Sequence, residues 1–233
     1  MRLNTLALFG LPLLVTPATV GAEQTTANDI EVMVVTSSRQ AQALVNLAES
    51  VAVLDEDTIK NVSPGHPAEL LNRVSGVHVN DLGGEGHMTA IRQPISTGGV
   101  YLFLEDGLPT RPTGFFNHNG LYEIDIPNAG RVEVTKGPGS ALYGSDAIGG
   151  VIQIFTRRGE AGFSPSMGVG VGSHGTRQVD AGLSGREGAF DYALSLSRDS
   201  SQGFNVQPSG NPDRDGYEHE ALSARLGWQL HRE

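Results

Sequence analysis

Cysteine is absent from the whole of the 233-residue sequence. Its absence excludes a disulfide framework, a thiolate zinc site, an iron–sulfur cluster and a cysteine nucleophile. Basic residues are also few, since 16 Lys and Arg stand against 26 Asp and Glu and give a formal net charge of −10. Binding to nucleic acid depends on Lys and Arg side chains that displace counterions, so we predict no nucleic-acid partner.

Sequence signals of enzyme chemistry are missing as well. No Gly-x-Ser-x-Gly nucleophile elbow occurs. A dinucleotide-type glycine pattern at residues 170–175 is followed by a strand pattern, so a phosphate would find no helix terminus there. His66, His78, His87 and His118 are scattered without metal-ligand spacing. We therefore predict no enzyme activity, no catalytic residue, no metal site and no cofactor.

Long apolar runs are rare, and the main one lies at the amino terminus. A positively charged start is followed by an apolar stretch to Val15 and by small residues up to Ala22. This order is typical of a secretory signal peptide and predicts residues 1–22 as the leader. The run is shorter than the roughly 20 apolar residues of a membrane-spanning helix, and no other run reaches that length.

Residues 45–158 have the pattern of a small mixed α+β domain, with short β-prone runs bounded by Gly or Pro. One helix pattern begins at Pro67, which suits the first helical position, and stops at Gly76. The acidic trio at residues 55–57 indicates either a solvated face or a helix start. The predicted strands cover residues 50–54, 77–80, 89–92, 100–104, 131–134 and 151–156.

After Arg158 the sequence changes to an alternation with a period of two. Apolar residues alternate with small or polar ones from Phe190 to Ser197 and from Leu222 to Leu230, and two weaker rows precede them. Residues 159–233 have room for about four strands of membrane-barrel length. Such strands carry lipid-facing apolar and lumen-facing polar residues, although one leaf of a soluble β-sandwich gives the same alternation.

Four strands are too few to close a barrel in a membrane. The smallest outer-membrane barrels have about eight strands, and lipid does not tolerate unpaired strand edges. We therefore expect this chain to be the amino-terminal fragment of a longer protein that continues beyond Glu233.

A short β-prone run lies between two polar stretches, inside a segment at residues 23–44 that we predict to be flexible. The run consists of Glu31, Val32, Met33, Val34, Val35 and Thr36. It has no obvious pairing partner in its own chain, so it is a candidate for strand addition to the sheet edge of another protein. The alternative is an edge strand of the domain that follows.

The longest motif, at residues 131–152, reads Arg-Val-Glu-Val-Thr-Lys-Gly-Pro-Gly-Ser-Ala-Leu-Tyr-Gly-Ser-Asp-Ala-Ile-Gly-Gly-Val-Ile. It resembles the plug domain of TonB-dependent outer-membrane receptors. Shorter signatures in the family's order occur at residues 68–77, 91–92 and 104–107, although Gln93 stands where the family usually has Gly, and residues 31–36 resemble the TonB box. The resemblance implies an α+β plug domain followed by the first antiparallel strands of a transmembrane β-barrel.

The resemblance also implies the function of an outer-membrane receptor and transporter. In the family the plug blocks a barrel of about 22 strands, ligand binds outside, and TonB, energised by ExbB and ExbD, grips the box and displaces the plug. The expected ligand is a bulky scarce nutrient, above all a ferric siderophore, with cobalamin, haem and glycans as alternatives. A truncated soluble periplasmic binding protein and a secreted adhesin-like β protein remain as rival functions.

The implied location is the outer membrane of a Gram-negative bacterium, with lipid around the strands and with the plug and amino terminus accessible from the periplasm. Arg92, Glu133 and Lys136 match positions where the family places charges facing the barrel wall, a set that we call the plug–barrel latch. Ordinary ion pairing within the plug is the alternative. Lys136 stands where the family usually has Arg, and it lacks the bidentate fork of Arg.

Two loops, at residues 93–99 and 108–120, are expected on the ligand side. A cation, aromatic faces and hydrogen-bonding groups would suit a bulky anionic chelate or a macrocycle. The expected ligand-facing residues are Gln93, Arg111, Phe115, Phe116, Asn117 and His118. The alternative is that the two Phe side chains pack within the plug and that His118 is merely exposed.

Overall fold

The computed structural model describes residues 33–34, 36, 38–84, 86–110, 119–206, 209–210 and 213–230. The predicted signal peptide at residues 1–22 and loop residues 111–118 lie outside the described residues. All described residues belong to one unit of the chain, Val32–Glu233.

Thirteen strands and three α-helices are present in this part of the chain. In chain order they are β1 (Met33–Val34), β2 (Gln42–Ala43), β3 (Ser50–Asp55), α1 (Glu56–Val62), α2 (Pro67–Leu71), β4 (Val77–Asp81), β5 (His87–Ile91), β6 (Tyr101–Glu105), β7 (Leu108–Thr110), β8 (Ala129–Lys136), α3 (Ser140–Tyr143), β9 (Gly150–Thr156), β10 (Gly162–Val171), β11 (Arg177–Glu187), β12 (Phe190–Ser201) and β13 (Tyr217–Trp228). Among the described helices, none is long and apolar enough to cross a membrane.

The α+β domain is built on a five-stranded sheet in the order β3-β8-β9-β6-β7. Strands β6 and β9 run parallel, and the other neighbours in this sheet are antiparallel. A separate antiparallel pair, β4 and β5, lies beside it. The larger of two buried apolar clusters in the domain packs Phe103 and Ile152 of the sheet with Ile59, Leu70 and Leu71 of the helices.

The acidic trio at residues 55–57 is a helix start. Asp55 caps α1, because its Oδ1 accepts a hydrogen bond from the backbone N–H of Thr58 at 2.8 Å. Hydrogen bonding to Thr58 also lowers the pKa of the Asp55 carboxyl. The second helix begins at Pro67 as predicted but is shorter than its pattern, since its last residue is Leu71 and only turns follow it.

The remaining four strands form a separate antiparallel sheet in the order β10-β11-β12-β13. Burial along β13 alternates at every residue, and the exposed face carries large apolar side chains. Cross-strand pairs on that face include Phe190 with Trp228 and Leu196 with Leu222. The opposite face carries small or polar residues and faces the α+β domain; Ser197 there is buried. The predicted alternation is therefore present in the structure.

Candidate functional site

The predicted TonB box, residues 31–36, is described at Met33, Val34 and Thr36, and its other three residues lie outside the described part of the chain. Val34 and Thr36 are fully buried. Met33 pairs with Ala43 and Val34 pairs with Gln42, so the run has a partner in its own chain. The expectation of an unpartnered strand is wrong on this point, because residues 38–40 form a turn that carries no Gly or Asn to signal a hairpin.

Thr36 is held in a pocket of polar groups on the plug sheet. Its backbone N–H and its hydroxyl donate to Oε2 of Glu133 at 2.9 and 2.7 Å. Its hydroxyl also lies 3.1 Å from Oε1 of Gln153, and its carbonyl accepts from the hydroxyl of Tyr143 at 2.7 Å. We call Glu133, Gln153 and Tyr143 the Thr36 cradle.

Two arginines complete the surroundings of this cradle. Arg131 Nη2 lies 2.8 Å from Oε1 of the fully buried Glu133 carboxylate, and the Arg131 guanidinium stacks over the ring of Phe155. The guanidinium of Arg39 lies 4.7 Å from the ring centre of Tyr143. Burial raises the pKa of the Tyr143 phenol, so this side chain remains a protonated donor at neutral pH.

The other two predicted latch residues lie together at one end of β8. Arg92 donates to Oγ of Ser50 at 2.8 Å, and Lys136 donates to the carbonyl of Ser75 at 3.2 Å. Partial burial lowers the pKa of Lys136, and the neighbouring Arg92 charge acts in the same direction. The contacts described here for Arg92, Lys136 and Glu133 are with the plug and with the amino-terminal segment. Their role as a plug–barrel latch stays a prediction.

Of the predicted ligand-facing residues, Gln93 is described and exposed, with its amide against Gly149. Arg111, Phe115, Phe116, Asn117 and His118 lie outside the described residues. Their contact with a ligand stays a prediction.

The carboxyl end of the second predicted ligand loop is fastened to β5. Oδ1 of Asn119 accepts from the backbone N–H of His87 at 2.6 Å, and the Asn119 N–H donates to the His87 carbonyl at 3.0 Å. Nε2 of the buried His87 ring accepts from the N–H of Leu121 at 3.1 Å. Gly120 lies directly against the ring of Phe103, where a Cβ atom would collide. The loop therefore leaves the sheet from a fixed point.

A cleft lies between the plug and the last residues of β12 together with the first residues of β13, the two strand ends that residues 202–216 connect. The plug lines it with residues 64–67, 121–122 and 124–127, and the strands contribute Asp199, Tyr217 and His219. The cleft has a volume of about 50 Å³, which admits water but not a bulky ligand. The rings of Tyr122 and His219 meet edge to face across it, with centroids 6.4 Å apart.

A second contact joins the plug to β13. Arg225 Nη1 lies 3.0 Å from Oδ2 of Asp106 and 3.2 Å from the hydroxyl of Thr156. Asp106 in turn accepts from the Thr156 hydroxyl at 2.5 Å. Sequence reasoning named neither Asp106 nor Arg225 as a contact. The only available signal was that Arg225 occupies an inward position in the predicted alternation.

No group of three or more His, Asp or Glu side chains within the described ranges is placed to hold a metal ion. Chemically, the assembled groups offer hydrogen bonds and ion pairs that can form and break without covalent change. Such an arrangement suits movable contacts between the plug, the amino-terminal segment and the strands.

Comparisons with known proteins agree with this arrangement. Residues 43–151 match the sequence profile described as TonB-dependent Receptor Plug Domain. The chain is 31% identical over 229 residues to the vitamin B12 transporter BtuB of Vibrio vulnificus, covering 96% of this chain and 36% of that relative. It is 29% identical to the vitamin B12 transporter BtuB of Photobacterium profundum, covering 96% of this chain and 37% of that one.

Solved structures show the same fold. The siderophore receptor PirA from Pseudomonas aeruginosa matches with a TM-score of 0.56 and 25% identity, over 79% of this chain and 33% of its own. The ferric yersiniabactin uptake receptor FyuA from Yersinia pestis matches with a TM-score of 0.58 and 21% identity, over 76% of this chain and 28% of its own. The chain thus spans about a third of the length of the curated relatives it matches.

The relatives described above are named as transporters and receptors, which agrees with the prediction that the chain is not an enzyme. The predicted fold class, a plug domain followed by antiparallel barrel strands in an unclosed sheet, is confirmed. The chain carries, at residues 43–151, the plug domain of the TonB-dependent receptor family, and four antiparallel strands follow it.

Proposed function

We propose that the protein containing this chain imports a scarce, bulky nutrient across the outer membrane of a Gram-negative bacterium by TonB-coupled displacement of its plug. The observation that supports this most strongly is that, among the described residues, buried apolar packing lies within the plug and polar contacts join the plug to β12–β13. The buried apolar clusters consist of plug residues alone, at positions 54 to 154. The hydrogen bonds and the ion pair between the plug and β12–β13 join polar groups. Polar contacts of partly exposed groups are weak, so they suit a plug that must move.

Two of these hydrogen bonds show how the plug is held by β12 and β13. Ser197 of β12 donates to Oδ2 of Asp125 at 3.1 Å, and the Tyr217 hydroxyl donates to the Gly65 carbonyl at 3.4 Å. When the plug shifts, water can replace each of these hydrogen bonds. An apolar interface would instead expose hydrocarbon to water, which costs free energy. The plug can therefore be stable as a domain and loosely held by the surrounding strands.

The amino-terminal segment is the proposed binding site for TonB. Strand addition by TonB needs backbone hydrogen-bonding groups in an extended segment. The described part of the box pairs over only two residues with β2, so little backbone pairing must be lost before TonB can take over. In this proposal TonB, energised by ExbB and ExbD, takes residues 31–36 from the periplasmic side.

The exposed apolar face of β10–β13 is the proposed lipid-facing surface. It includes Met167, Leu222, Leu226 and Trp228, each more than two-thirds exposed. Exposure of this apolar row to water would cost free energy. Its alternation with an inward-facing row of small or polar residues is typical of outer-membrane strands. The proposed location is therefore the outer membrane, with the plug reached from the periplasm.

Two ligand classes are candidates. A ferric siderophore is the class that the sequence resemblance implies, and the solved relatives PirA and FyuA are named for siderophore or yersiniabactin uptake. Cobalamin is supported by the curated relatives, which at 29–31% identity are named vitamin B12 transporters. Both are bulky metal chelates, and the loop holding Arg111, Phe115, Phe116, Asn117 and His118 is the proposed contact on the plug.

A binding panel on the full-length protein tests the ligand class. Purified receptor would be titrated with cyanocobalamin, several ferric siderophores and haem, and the Phe115→Ala and Phe116→Ala variants would be measured beside it. We expect saturable binding of one chelate and weaker binding by at least one variant. Failure of every chelate to bind, in protein whose plug is folded, would overturn the proposed ligand class.

A further inference from the structure

Among the described residues of the amino-terminal segment, Thr36 makes fully buried polar contacts with the plug. The Thr36 side chain is fully buried. Both its N–H and its hydroxyl donate to the same carboxylate oxygen, Oε2 of Glu133. Two short hydrogen bonds to a charged acceptor are among the stronger non-covalent contacts available to a neutral residue.

The other groups of the cradle hold Thr36 from two further sides. A hydroxyl carries one hydrogen, which serves the shorter contact with Glu133, so the 3.1 Å contact with Gln153 needs a donor from the amide. A 180° rotation of the Gln153 amide places its NH₂ group where the oxygen lies and so supplies the donor, because the two ends of an amide have nearly the same shape. The Tyr143 hydroxyl meanwhile donates to the Thr36 carbonyl. All three polar groups of Thr36 are thereby engaged.

Glu133 depends on Thr36 in return. The carboxylate is fully buried, and its two oxygens are divided between Arg131 on Oε1 and Thr36 on Oε2. A buried charge is tolerated when it is paired with an opposite charge and hydrogen-bonded. Withdrawal of Thr36 removes two donors from Oε2, so the carboxylate resists that withdrawal until water or another donor replaces them.

We propose that Glu133 is a positioning residue for the amino-terminal segment: its carboxylate holds Thr36 in the plug and so sets the fraction of molecules whose box is free to pair with another strand. This differs from the plug–barrel latch role predicted for Glu133 from the sequence. The identity of the incoming strand as TonB rests on the proposed function, but the docking of Thr36 does not.

Thiol labelling of the full-length receptor in outer-membrane vesicles tests the docking itself. Residues 1–233 contain no cysteine, so Val34→Cys introduces their single thiol, at a fully buried position two residues from Thr36. Any cysteine beyond Glu233 would first be replaced by serine, in the parent and in every variant. The rate of maleimide labelling then reports the fraction undocked. We expect Glu133→Gln and Thr36→Val each to raise the rate by about tenfold, the effect of weakening one charge-assisted contact. The double variant should label no faster than the faster single variant.

Two further variants keep the test specific. Glu105→Gln removes a partly buried plug carboxyl on β6 and is expected to label like the Val34→Cys parent. Thr36→Ser keeps both donors and should also label at the parental rate, even if Thr36→Val or Glu133→Gln partly loosens the plug. Equal labelling of Glu133→Gln, Thr36→Val and Glu105→Gln would overturn the proposal, as would fast labelling of Thr36→Ser.

A binding measurement separates this proposal from the function it rests on. The purified periplasmic domain of TonB should bind Glu133→Gln receptor, with Val34 intact, more tightly than wild type, because a larger fraction is competent to pair. Faster labelling with no TonB binding would support docking by Glu133 and count against the proposed function. TonB binding with no change in labelling would overturn the docking proposal alone.

Discussion

Arg225 on β13 reaches across to the plug and places Nη1 3.0 Å from Oδ2 of Asp106. Asp106 lies at the tight turn between β6 and β7, where it and Gly107 both adopt a positive φ. The same carboxylate binds the hydroxyl and N–H of Thr156 at the end of β9. One carboxyl group therefore ties a turn, a plug strand and a barrel strand together.

This ion pair is expected to be a weak fastening. Its side chains are 27% and 30% exposed, so we predict a coupling energy below about 1 kcal/mol in a double-mutant cycle of Asp106→Asn and Arg225→Gln. Chemical unfolding of the plug in the full-length protein measures it. High salt should shrink the coupling. A coupling of several kcal/mol would show that the plug is fastened here far more tightly than a movable domain allows.

Gly120 is predicted to be intolerant of even one methyl group. A Cβ atom at this position would collide with the ring of Phe103 in the plug core. We expect Gly120→Ala to lower the free energy of unfolding by about 2 kcal/mol, as overpacking of a core does. Gly65→Ala is the matched control, because its Cβ would lie 3.6 Å from Gln178 Nε2, an ordinary contact. Equal stability of the two variants would contradict the packing described for the loop.

Asn119 is predicted to fix the carboxyl end of the ligand loop. It adopts a φ of 63°, and its side chain accepts the 2.6 Å hydrogen bond from His87. Asn119→Gly keeps the backbone freedom but loses the amide, so we expect a loss of about 1 kcal/mol in stability together with weaker ligand binding. Calorimetry and ligand titration check the two effects. Unchanged affinity with reduced stability would show that the loop end does not position the ligand site.

Glu105 gives a pH-dependent prediction. Burial raises the pKa of its carboxyl, and the nearby charges of Asp106 and Asp125 add to the effect. Ionisation therefore costs the folded state free energy. The cost is absent at a pH below the unfolded pKa, about 4.3, and is complete once pH has risen through the folded pKa. We expect Glu105→Gln to be more stable than wild type at pH 7, by less than about 1 kcal/mol because the side chain is half-buried, and equally stable near pH 4. A pH-independent difference in unfolding midpoints would contradict this assignment.

Most plug strands were predictable from the sequence because they are short β-prone runs bounded by Gly or Pro, although β6 and β9 prove to be buried on both faces. The later strands were predictable because apolar residues alternate along them with small or polar ones. Leu222, Leu226 and Trp228 are exposed on one side of β13, and Arg225 lies on the other, as a period of two requires. The start of α2 was predictable from Pro67. Its early end was not, because Val74 is buried from a turn as well as it would be from a helix.

The contacts between distant parts of the chain could not be predicted. Thr36 meets Glu133, and Tyr122 meets His219, only because the sheet order β3-β8-β9-β6-β7 and the placement of β13 bring them together. Neither contact is indicated by a local pattern in the amino-acid sequence. The β1–β2 pairing was also hidden, because its turn uses Arg39 at a positive φ, which is uncommon for a residue other than Gly.

Val34→Pro tests whether residues 31–36 bind TonB by strand addition. Proline removes the backbone N–H that strand addition needs, so we expect energy-coupled uptake to be lost while ligand binding by purified receptor is retained. Val34→Ala, which keeps the N–H, is the matched control and should transport. Normal uptake by cells carrying Val34→Pro would contradict the role assigned to residues 31–36.

The most direct test of the central claim is ligand uptake by otherwise identical cells with and without TonB, each expressing the full-length receptor. Labelled cobalamin and ferric siderophores would be supplied in turn, and cell-associated label would be followed with time. The account predicts that one chelate is accumulated only when TonB is present, while surface binding is the same in both strains. Equal accumulation in the two strains would contradict it.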